Sequence, residues 1–202
     1  PESDKLWPLA LDKFDRWMHY EIDAESREYQ DGDRFPEQFI HESYRNVIIS
    51  DKDRLDGASV DVIRAHFHEW RRERGLTDEI CTGRGQTRFT VCLIIDERAL
   101  SSLIRSIEPG RKEYGDLIGY CTMVDASYKG GSYCNEAYKG FMRVELFAFW
   151  ELYVQLDMFS MWELCPHVHE GQIPQFRGVG DGKAVNEDGE ELRVEFPRGG
   201  RC

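Results

Sequence analysis

Phe89-Thr90-Val91-Cys92-Leu93-Ile94-Ile95 is the stretch on which the reading of the fold turns. It is rich in β-branched and aromatic residues, and its apolar side chains do not alternate with polar ones, which predicts a strand buried on both faces. Asp96-Glu97 closes it, residues 98–107 read as a short helix, and Pro109-Gly110 breaks that helix. Upstream, Asn46-Val47-Ile48-Ile49-Ser50 is an apolar run closed by a polar cluster, and it reads as a second buried strand. Beyond Asp51–Gly57, Val60, Ile63, Phe67 and Trp70 recur at three- and four-residue steps. That spacing predicts a helix whose basic end, Arg71-Arg72-Glu73-Arg74, precedes a stop at Gly75. Downstream, Leu117 to Val124 is the third strand candidate. Alternating strands and helices of this kind predict an α/β fold, a single three-layer domain with a mostly parallel sheet between helices.

Outward from that core, residues 1–45 read as a helical arm. Leu6, Leu9, Leu11, Phe14, Trp17 and Met18 approximate an apolar stripe, which predicts a helix over about 8–28 with Pro8 near its first turn. Asp31-Gly32-Asp33 reads as a turn, and a short helix is expected over 36–44. The aromatic side chains of the arm need a surface, either the main domain or another protein. The core domain is expected over 46–165. Within it, 141–164 is densely apolar, but Arg143, Glu145, Glu151, Asp157 and Glu163 interrupt any membrane-spanning window. A buried helix at 136–156 and a strand near 158–164 are expected instead. Residues 166–202 read as a Gly- and Pro-rich extension carrying an edge strand or hairpin, with the strand at Glu191–Phe196 where Leu192, Val194 and Phe196 alternate with charged residues.

The chain has 202 residues, 38 acidic against 26 basic, and a formal charge of -12. That field argues against a nucleic-acid coat and against docking on anionic lipid. Its aliphatic and aromatic content argues against disorder. Six cysteines, at 81, 92, 121, 134, 165 and 202, form no close framework and are expected reduced in an intracellular, soluble protein. No signal peptide is recognised, and Pro1 in place of Met predicts a chain that is trimmed, processed or a fragment, from the cytoplasm or an organelle reached by a removed targeting segment.

Three carboxylates stand out. Asp96 and Asp125 each follow a strand candidate, and in a parallel sheet both would lie at the carboxyl ends where ligands bind. Glu145 lies among Phe141, Leu146, Phe149 and Trp150, where burial would raise its pKa unless Arg64 or Arg98 pairs with it. The structural alternatives are loop carboxylates for the first two and an ion pair for the third. Cys165-Pro166-His167-Val168-His169 offers zinc ligands in Cys165, His167 and His169, with Cys134 or Cys202 as a fourth. Gly83-Arg84-Gly85 precedes a strand, so it is not a phosphate loop. Tyr-Lys-Gly occurs at 128–130 and 138–140, where it either rims an anion pocket or forms a surface loop, and no serine sits in a nucleophile elbow.

Val47-Ile48-Ile49-Ser50, the helix after it and Phe141-Met142-Arg143-Val144-Glu145-Leu146 together resemble Toll/interleukin-1 receptor (TIR) type domains over about 45–165. The last segment aligns with the family's Trp-Cys-x-x-Glu-Leu motif, with Phe141 for the Trp and Met142 for the Cys. Asp125-Ala126-Ser127-Tyr128 resembles the segment before that motif. The resemblance implies a flavodoxin-like fold and two roles, adaptor association or cleavage of the nicotinamide–ribose bond of NAD. In the second role Glu145 would stabilise an oxocarbenium-like transition state. Phe141 or Tyr128 would then stack on the base, and Arg98 or Lys129 would meet the pyrophosphate; only Glu145 comes from the motif.

Three functions follow as expectations. The first is a protein–protein interaction or assembly subunit with an apolar patch near Trp7–Tyr20 or Met158–Trp162. The second is a nucleotide-processing hydrolase that takes NAD as substrate through Glu145, Asp96 or Asp125. The third is a zinc module on the 165–169 tract.

Overall fold

The computed structural model describes residues 2–28, 35–81, 86–111, 118–130 and 138–192. Four helices lead the chain: α1 (Glu2–Glu28), α2 (Phe35–Ser43), α3 (Lys52–Leu55) and α4 (Val60–Glu73). A short α5 (Asp78–Cys81) and a 3-10 turn at Thr87–Phe89 lead into β1 (Val91–Ile94), α6 (Glu97–Arg105), β2 (Tyr120–Asp125) and β3 (Phe141–Glu145). The chain closes with α7 (Leu146–Gln155), α8 (Met161–Leu164), β4 (Ile173–Gly178), β5 (Asp181–Val185) and β6 (Glu191–Leu192).

The six strands form one sheet in chain order. Every pairing is antiparallel except β3 with β4, which the α7–α8 crossover makes parallel. This corrects the expectation of a mostly parallel, flavodoxin-like sheet. The cause lies in how α6 packs. Tyr120 N donates to Ser102 Oγ at 3.1 Å, and a Cβ on Gly119 would stand 2.9 Å from Leu103 Cα. The chain therefore re-enters the sheet at the end where β1 left it, and β2 must run back along β1.

Local chemistry accounts for the helices. In α1, Ala10, Phe14, Trp17, Met18 and Ile22 are buried at helical spacing, so the arm is part of the core. Pro8 lies inside α1 rather than near its first turn. Phe14 meets Phe149 of α7 edge-on at 5.2 Å between ring centroids. Trp17 Nε1 donates to Ile107 O at 3.3 Å, and Lys13 Nζ donates to Ser106 O and, at 3.4 Å, to Ile104 O. These bonds satisfy carbonyls that the end of α6 leaves open. Ser59 caps α4, Asp96 caps α6, and Gly75 ends the α4 turn at φ +67°.

Three further expectations are corrected. Asn46–Ser50 belongs to no strand or helix, and each of its five residues is exposed. Phe141–Glu145 is strand rather than the start of a helix: Met142 and Val144 enter the core, while Arg143 and Glu145 face the other side. Residues 161–164 are helical rather than extended, and the Gly- and Pro-rich tail supplies the β4–β5 hairpin. The edge strand begins at Glu191 as expected; its part beyond Leu192 lies outside the described residues, as do the 31–33 turn, Leu117 and the 83–85 loop. No helix among the described residues is long and apolar enough to cross a membrane.

Candidate functional site

The sheet separates the three carboxylates. In the β1–β2 register Val91 faces Asp125, and in β2–β3 Tyr120 faces Glu145. Asp125 and Glu145 therefore sit at opposite ends of β2, roughly 17 Å apart along the strand. Asp96, just past β1, lies at the Glu145 end. The shared carboxyl-end site expected for Asp96 and Asp125 does not form, because their strands are antiparallel.

Glu145 closes β3 on the sheet face opposite the apolar core, and its side chain is 6% exposed. Register places Gln175 beside Arg143 and Lys183 beside Gln175 on that face. Glu145 Oε1 accepts from Gln175 Nε2 at 2.5 Å, with Lys183 Nζ at 3.4 Å and Arg177 Nε at 3.6 Å. One carboxylate oxygen thus meets an amide and two cations. Its partners come from β4 and β5, not from Arg64 or Arg98. This geometry balances charge on a crowded sheet face.

Asp125 organises the β2–β3 connection. Its Oδ1 accepts from Ser127 N at 2.7 Å and Ser127 Oγ at 2.6 Å, and its Oδ2 accepts from Tyr138 Oη at 2.8 Å. Buried Arg64 of α4 donates through Nε to Asp125 O at 2.8 Å and through Nη2 to Gly140 O at 3.0 Å. The Arg64 guanidinium also stands 5.0 Å from the Tyr128 ring centroid, and it pairs with Asp61. Tyr128 is therefore committed to a structural cation–π contact. Lys129 is exposed beside it, and Phe141 is half-buried.

Asp96 Oδ1 accepts from Ala99 N at 2.7 Å and so caps α6. Arg98 donates to Glu187 O and pairs with Asp188 at 3.2 Å, while Arg143 Nη2 donates to the same Glu187 carbonyl at 2.7 Å. Both arginines fasten the β5–β6 turn. Of the residues the NAD reading invokes, Glu145, Asp96 and Arg98 lie at one end of the sheet, and Asp125, Tyr128, Lys129 and Phe141 at the other.

No group of three or more His, Cys, Asp or Glu among the described residues is placed to hold a metal ion. Burial pushes the Cys165 thiol up to about 12. His167 and His169 are exposed with Val168 buried between them. Cys134 and Cys202 lie outside the described residues.

A polar network that periodicity did not reveal ties α2 and the segment after it to α1. Asp15 Oδ1 accepts from Tyr44 Oη at 3.1 Å and from Asn46 Nδ2 at 2.7 Å. Burial pushes the Tyr44 hydroxyl above its ordinary range, so it stays protonated and donates. Asp23 Oδ1 takes His41 Nε2 at 2.7 Å, and His41 Nδ1 meets His19 Nδ1 at 2.5 Å. The two ring centroids are 4.7 Å apart with planes 17° apart, the geometry of nearly coplanar rings meeting head-on. In the neutral pair His41 donates to Asp23 and accepts from His19. A shallow cleft of about 320 Å3 runs between α1 and this segment, lined by Leu11, Asp15, His19, Tyr44, Arg45, Asn46 and Ile48. Along its rim Val47, Ile48 and Ile49 are 56%, 50% and 39% exposed.

Comparison of the chain with protein-family models, with curated proteins and with solved structures finds no match.

Proposed function

We propose that this chain is a protein–protein interaction module and that residues 45–51 are its docking element. The observation that carries the reading is the run Val47-Ile48-Ile49. Three consecutive aliphatic side chains face solvent, and no backbone N–H or C=O of residues 46–50 has a hydrogen-bond partner among the described residues. Such a segment is half of a β-pairing, with main-chain groups for affinity and alternate side chains for selectivity. The anchors at Tyr44 and Asn46 present it on α1, so less conformational freedom is lost on docking.

The arm side chains Phe14, Trp17 and Met18 are buried in the core and offer no patch. Met158 and Phe159 are exposed after α7 and form a secondary apolar site. The hydrolase reading needs Glu145 free to meet a ribose, and its carboxylate is instead held by Gln175, Lys183 and Arg177. The free cysteines Cys81, Cys92, Cys121 and Cys165 support a reducing compartment, the cytoplasm or an organelle matrix.

A photo-crosslinking residue at Val47, compared with one at exposed Lys129, tests the reading. The expected result is an intermolecular protein adduct from position 47 that position 129 does not give. Equal or absent adduct formation at the two positions contradicts it.

A further inference from the structure

We infer that the partner of this segment is a second copy of the same chain, bound as an antiparallel two-stranded ribbon centred on Ile48. The inference rests on the docking reading above and adds the partner and the register.

The sequence of the segment is complementary to itself. Antiparallel pairing about Ile48 sets Ile48 opposite Ile48 of the second copy, Val47 opposite Ile49, Asn46 opposite Ser50 and Arg45 opposite Asp51. Two aliphatic cross-strand pairs and an isoleucine pair are thus closed at both ends by Arg–Asp pairs. A shift of one residue in the sum of paired positions sets Arg45 opposite Ser50 or Lys52 and forfeits both ion pairs. A shift of two would set Arg45 opposite Asp53, but Asp53 lies in α3, so within the extended segment the charges favour the register about Ile48.

The structure leaves the segment ready for that pairing. Arg45, Asn46 and Ile48 line the cleft against α1, while Val47 and Ile49 are exposed and not part of its lining. Asp51, at φ -121° and ψ 90°, already has extended backbone. Asn46–Ser50 carries no charge, Gly or Pro that would oppose a strand. The run has the composition of a buried strand and no ladder partner among the described residues. An isologous contact of this kind closes as a dimer and does not propagate.

Charge reversal tests the register. Sedimentation velocity over a concentration series is run on the full chain, Arg45→Asp, Asp51→Arg and the double variant. The wild type is expected to show a monomer–dimer equilibrium. Each single reversal makes two like-charge contacts per dimer and weakens association roughly tenfold. The double variant, which restores opposite charges across the two-fold axis, returns to near wild-type association. A double variant as weak as either single one, or a wild type monomeric throughout, overturns the inference.

Asp51 also caps α3, so a second test avoids it. Cross-strand Cα atoms directly opposite stand about 4.5–5.5 Å apart, within disulfide reach. Ile48→Cys is therefore expected to form a disulfide dimer under mild oxidation faster than Val47→Cys in the same background. Equal rates count against the register. If the crosslinker at Val47 captures a different protein while the double variant stays monomeric, the pairing fails and the docking reading stands. If neither experiment yields an adduct or a dimer, both fail.

Discussion

Gly140→Ala probes the corner where Arg64, Asp125 and Tyr128 meet. Gly140 has φ +76°, a conformation that costs an L side chain about 1–2 kcal/mol. An added Cβ would also lie 2.6 Å from Arg64 Nη2 and 2.6 Å from Tyr128 Cβ, and closer still to Cγ of the ring. Carbon contacts settle near 3.5–4.0 Å, so the ring and the guanidinium must retreat by roughly 1 Å. That retreat weakens a cation–π contact of about 0.5–2 kcal/mol. It also strains the charged bond from Arg64 Nη2 to Gly140 O, one of a class that contributes about 1.5–3 kcal/mol. Gly57→Ala is the control, since φ there is +65° and nothing described lies within 4 Å of its Cβ position. The excess loss at Gly140 is about 2–4 kcal/mol, which for a chain of this length is a Tm lower than the control's by roughly 4 °C or more. Thermal melts followed by circular dichroism read this directly. Equal melting temperatures for the two variants would refute the claim that Asp125 and Tyr128 serve as structural members of this corner.

Other outcomes follow from the same contacts. Glu145→Gln removes the carboxylate that Lys183 and Arg177 share, and because both are partly exposed and Arg177 keeps Asp181 the expected loss is about 1–2 kcal/mol, below that of a fully buried pair. An unchanged or raised urea midpoint would contradict it. Lys13→Met keeps the apolar stem but leaves the Ile104 and Ser106 carbonyls unpaired, for a loss of about 1–3 kcal/mol against near zero for Arg16→Met, and denaturant midpoints compare the two. Burial pushes the Cys92, Cys121 and Cys165 thiols from 9.0 up to about 12, so the folded state keeps protons that the unfolded state loses. The stability they confer is complete below pH 9 and is lost between pH 9 and 12. At pH 8 the buried Cys121 and Cys165 should resist alkylation until the chain unfolds, and rapid native labelling of either, located by peptide mapping, would contradict their burial.

Much of the helical structure was legible. The stripes in α1 and α4 and the caps at Ser59 and Asp96 are local signals, and local packing honours them. Strand identity was legible at β1 and β2, but strand direction was not, because it depends on Ser102 and Leu103 of α6 gripping the chain at Gly119–Tyr120. Phe141–Glu145 carried a two-residue alternation that the apolar density of 141–164 obscured. A C-terminal hairpin was among the expectations, but the places of β4 and β5 were concealed by the turn residues, where Gly180 sits at φ +77° and a glycine is required. Asn46–Ser50 shows the limit most clearly. Its side chains suit a buried strand, but suitability for a ladder is distinct from having a neighbour within the chain. The carboxylates were singled out by position after a strand or among apolar residues. What neutralises them could not be read, since Gln175, Arg177, Lys183 and Tyr138 reach them only through the tertiary fold.

Hydrogen exchange at the amides of residues 46–50, followed as the protein is concentrated, tests the central claim most directly. Amides with no partner among the described residues exchange at near-intrinsic rates in dilute solution, and pairing with a second copy slows them as dimer forms. The account predicts protection that rises with concentration in wild type and is absent in Arg45→Asp. Rates that stay fast at every concentration, or protection already complete at high dilution, would contradict it.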